Sequence, residues 1–76
     1  MHQLDTLAHD IATFGIDRYE DEVRVFANSA FRRGIAPAVA GILADPTNPS
    51  IVRERAFGRL AAAVHRHRRT GLGIVA

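Results

Sequence analysis

At 76 residues and 8.3 kDa the chain makes one domain near the small end of what folds alone, burying only about 60% of its unfolded surface. It has no cysteine, which excludes disulfides and thiolate metal sites, and no lysine, which excludes Schiff-base chemistry. All ten basic side chains are arginine, and the formal net charge of +2 is unevenly spread: residues 1–38 hold four arginines against six acids, residues 39–76 six against two.

The first helix is predicted over residues 3–14, where Leu4, Leu7, Ala8, Ile11 and Phe14 recur at the three-and-four spacing of one apolar stripe. Gly15 supplies a left-handed stop. Asp17 followed by Glu20 reads as a capping box with Asp in place of Ser or Thr. The second helix, over 18–33, is apolar at Tyr19, Val23, Phe26, Ala27, Ala30 and Phe31, and Gly34 ends it.

The third helix, over 37–44, opens on Pro37 and is apolar all round, as befits an interior or an interface. A loop follows at 45–50, in which Asn48 reads as the N-cap and Pro49 as the opening residue of the last helix. That fourth helix, over 49–69, would be about 30 Å long. Gly71 is expected to close it, with Gly41 and Gly58 read as close-packing points. The domain then spans 1–71, and 72–76 form an apolar tail that either docks in a dimer or stays disordered.

The expectation is an all-α bundle of three to four helices. The fourth helix is longer than the third can cover, so a homodimer is expected to shield it. Its interface would draw on Val39, Ile42, Leu43, Phe57, Leu60 and Val64. The alternative is that helices one and two cover that surface within one chain.

At 100° per residue, Val52, Ala56, Phe57, Leu60, Ala63 and Val64 share a broad arc of the fourth helix. Arg55, Arg59, Arg66 and Arg69 fall opposite, on an arc roughly 80° wide. Two functions are compatible with this pattern. The first is a non-enzymatic interaction module, a helical homodimer binding a protein partner through its third helix or its acidic 20–22 patch. The alternative is a nucleic-acid-binding protein using the arginine ridge. A solvated face, with cations favoured near a helix C-terminus, accounts for the same residues without function. The outcome turns on whether the ridge is open or paired with Glu20–Glu22.

Other readings fail on particular residues. A helix-turn-helix across helices two and three has Ala30 and Gly34 at the right spacing. It puts Arg33 at an apolar position, however, and its second helix has no side chain able to read a base edge. His65 and His67 point to opposite sides, and His2 and His9 lie about 10 Å apart, so no metal site is expected. His67 is expected to be partly buried and His65 exposed. No hydroxyl sits in a nucleophile motif, so neither catalysis nor a cofactor is expected. The longest apolar run, 35–44, is about half a membrane span. No signal peptide is read at the start, and a cytoplasmic protein is expected.

Overall fold

A computed structural model describes the backbone of residues 2–75 and the side chains of residues 4–68. In chain order it has α1 (His2–Phe14), a 3-10 turn (Ile16–Tyr19), α2 (Glu20–Arg32), α3 (Pro37–Ala44) and α4 (Ser50–Val75). The described residues form an all-α bundle with no strand.

The corner between α1 and α2 depends on Gly15. Its φ of 92° and ψ of 150° belong to a region that a side chain rarely enters, and its amide donates to the Ile11 carbonyl at 2.9 Å. The chain then makes the 3-10 turn, so α2 starts at Glu20 and not at residue 18. The expected capping box does not form, and α2 has no side-chain cap at its start. Asp17 instead accepts from the Ser50 hydroxyl at 2.9 Å to each carboxylate oxygen, and Glu20 is taken by Arg53. Partners on α4 outcompete the local amides.

The end of α2 is a Schellman motif. The Ile35 amide donates to the Ala30 carbonyl at 2.9 Å and the Gly34 amide to Phe31 at 3.0 Å, with Gly34 at φ 73°. Burial of Ile35 fixes the exit direction. Ala36, at φ 41° and ψ 58°, is left-handed despite its Cβ, a strain on the order of 1–2 kcal/mol. Pro37 then starts α3 with its φ already set.

Between α3 and α4, Asp45 accepts from both the amide and the hydroxyl of Thr47, at 2.9 and 2.6 Å. Asn48 does not cap α4. Its side-chain amide donates to the Ile42 carbonyl at 3.0 Å, closing α3, while the Pro49 carbonyl accepts from the amides of Val52 and Arg53. Nor does α4 stop at Gly71: it runs on to Val75. Its 26 residues span about 39 Å at the standard rise, which sets the 40 Å long dimension of the molecule. Whether the side chains of 72–76 dock lies outside the described residues.

The core sits where α3 packs between α2 and α4, around the fully buried Ile16, Val23, Leu43 and Leu60. Phe26 and Phe57 meet within it, ring centroids 5.3 Å apart and tilted by 53°. Two aromatics expected in the apolar stripes are outside it: Phe14 and Phe31 are more than half exposed. They stand at the edges of their stripes, and Phe14 carries the Arg18 guanidinium over its ring at 5.8 Å.

Gly41 and Gly58 are not close-packing points. A Cβ at either would meet nothing within 4 Å, and both lie inside helices. Gly41→Ala and Gly58→Ala are each expected to raise stability by about 0.5–1 kcal/mol, read as a higher urea midpoint at unchanged slope.

Candidate anion-binding interface

The arginines of α4 divide into two kinds. Arg53, Phe57, Leu60 and Val64 recur at the spacing of a single stripe, and all four are buried. Arg53 is 2% exposed, yet every polar contact it needs is made. Its Nε donates to the Leu43 carbonyl at 3.1 Å, freed at the end of α3. Its two terminal nitrogens donate to the two oxygens of Glu20 at 2.7 and 2.9 Å. The Arg53 hydrogen bonds, reinforced by its charge, hold the Glu20 carboxyl below the usual glutamate range.

Neighbouring contacts reinforce that junction. Ser50 holds Asp17, and the Ile16 amide donates to Glu54 Oε2 at 3.4 Å. The first turns of α4 therefore lock the corner where α1 turns into α2. The acids Asp17 and Glu20 are consumed there and do not face the arginine ridge.

Arg55, Arg59 and Arg66 point the other way, and all three are exposed. Among the described residues there are two ion pairs, Arg24–Asp21 and Arg53–Glu20, and neither involves the ridge. Arg69, the fourth predicted member, has its side chain outside the described residues. The rise from Arg55 to Arg59 is about 6 Å, and from Arg59 to Arg66 about 10.5 Å. Gly58 and Ala62 lie on the same exposed side and are too small to hold a partner away from the helix. No aromatic stands on the ridge, because Phe57 is in the core.

The residues expected at a dimer interface fare differently. Leu43, Phe57, Leu60 and Val64 are already buried within one chain, and Val39 is half-buried. Only Ile42 is open, at 41%. The reason is that α1, the 3-10 turn, α2 and α3 all pack on α4, so its inner arc does not depend on α3 alone. Val52, placed on that arc by periodicity, is exposed with Ile51 at the start of α4. His67 is exposed as well as His65.

One feature escaped the periodicity argument. Between α1 and α2 runs an open groove of about 760 Å³, lined by Leu4, Leu7, Tyr19, Val25 and Phe26 among others. Its sequence signal is Val25, an apolar side chain off the buried stripe of α2 and 67% exposed. Among the described residues no cluster of three His or acidic side chains is placed to hold a metal ion. No described helix is long and apolar enough to cross a membrane. Comparison with protein-family models, with curated proteins and with solved structures finds no match for this chain.

Proposed function

We propose that this protein is a small non-enzymatic binding module that lays the outer face of α4 along the phosphate backbone of duplex nucleic acid. The observation that carries this reading is the contrast between Arg53, neutralised inside, and Arg55, Arg59 and Arg66, which are exposed and make no ion pair among the described residues. Arginine keeps its charge at any physiological pH and grips phosphate oxygens in pairs. The absence of an aromatic from the ridge favours a duplex over a single strand, which needs a stacking platform.

Fluorescence anisotropy with a labelled duplex tests the proposal. Binding that weakens as salt rises is expected, and Arg55→Gln with Arg59→Gln is expected to weaken it and flatten its salt dependence while the helical circular dichroism is unchanged. Binding that is undiminished in the double variant would remove the ridge from the account. A second reading, a module for a protein partner, has the exposed Ile42, Ile51 and Val52 in its favour. It predicts loss of partner capture on Ile42→Asp with duplex affinity unaffected.

A further inference from the structure

We infer that the groove between α1 and α2 receives a second copy of this chain, about a two-fold axis that sets α2 antiparallel to the α2 of its partner. This inference does not rest on the ridge, since none of Arg55, Arg59 and Arg66 lines the groove.

The groove face of α2 presents Glu22, Val25, Ser29 and Arg33 at the spacing of one helical stripe. Val25 is open, and Leu4, Leu7 and Phe26 beside it are only half-buried. Among the described residues the two ion pairs are made by side chains other than Glu22 and Arg33. The groove is also polarised. Asp10, Asp21 and Glu22 stand at the end near the Gly15 corner, Arg33 and Arg68 at the other.

This layout complements itself when turned end for end. The point midway between residues 22 and 33 falls between Ala27 and Asn28, just past the middle of α2, and a two-fold axis through it exchanges the two positions. An antiparallel copy therefore sets Glu22 opposite the partner's Arg33, and Arg33 opposite the partner's Glu22. The apolar centres of both grooves then meet. A parallel copy would set like charge against like, and an antiparallel one also opposes the helix dipoles. A partner of uniform charge would be repelled at one end. The same patch serving both subunits is the isologous arrangement of a two-fold dimer. It would join α1 and α2 of each chain into a four-helix layer.

Sedimentation equilibrium of the full chain and its variants provides the test. The wild-type chain is expected to be dimeric at high micromolar concentration, and Val25→Arg monomeric with unchanged helical content. Glu22→Arg and Arg33→Glu are each expected to weaken the dimer roughly tenfold, because each sets like charges at both ends. Mixing those two variants should restore wild-type affinity as a heterodimer, since both ends then pair. A wild-type monomer, a dimer indifferent to Val25→Arg, or a mixture that fails to recover would each overturn the inference. The exposed charge variants keep the test decisive even if Val25→Arg fails to fold.

Discussion

Arg53→Ala is expected to lose about 3 kcal/mol of folding stability at neutral pH, while Arg55→Ala two residues on changes it by less than about 0.5 kcal/mol. The difference follows from where the two guanidiniums end. Arg53 ties three elements together: its own helix, the Leu43 carbonyl near the end of α3 and the first residue of α2. Removing it leaves the Leu43 carbonyl and Glu20 without partners and opens a cavity in a domain whose total stability is about 5 kcal/mol. Arg53→Lys should recover little, because an ammonium cannot span both Glu20 oxygens and the Leu43 carbonyl at once. Urea unfolding of the three variants measures this directly.

The same pair sets the acid limb of stability. Glu20 titrates lower in the folded chain than its ordinary 4.5, through its hydrogen bonds to Arg53. A depressed carboxyl contributes stability in full above its unfolded value and loses it as pH falls through the folded one. Stability should therefore decline below about pH 4.5, and Glu20→Gln should flatten that decline. Asp45, held low first by the Thr47 hydroxyl and then by its amide, acts in the same direction.

Leu60→Ala is expected to cost about 3 kcal/mol. Leu60 is fully buried at the centre of the α4 stripe, one turn from both Phe57 and Val64. Its truncation removes contacts that no neighbour can move to replace, because helices pack on α4 from more than one side. For a domain of this size the loss corresponds to a fall in Tm of about 12–24 °C, read from the thermal melt at 222 nm. Ala62→Ser on the open side of the same helix is the control and should lower the midpoint by only about 2–4 °C, through helix propensity alone.

The helices were legible because apolar spacing is a local property. Leu4 to Ile11, Val23 to Ala30 and Phe57 to Val64 each mark a buried face without reference to the rest of the chain. The outward direction of Arg55, Arg59 and Arg66 was legible for the same reason. Periodicity alone did not single out Arg53 as buried, although it falls on the stripe of Phe57, Leu60 and Val64. What buries it is Glu20, 33 residues away in sequence, together with a carbonyl released at the end of α3. Asp17 and Asn48 went astray likewise: each fits a local cap, and each found a partner in another element. The groove could not be read at all, because it depends on how α1 and α2 splay from the Gly15 corner. The dimer surface expected on α3 and α4 was drawn from helix lengths and the all-apolar α3, which do not say which helices share a neighbour.

The claim on which the functional account turns is that three arginines of α4 are free to meet phosphate. The salt dependence of duplex affinity tests it most directly. Three contacts predict that log affinity falls with log salt at a slope of about −2.7, and that Arg55→Gln with Arg59→Gln reduces its magnitude by about 1.8. A slope near zero for the wild-type chain, or one that the double substitution leaves unchanged, would contradict it.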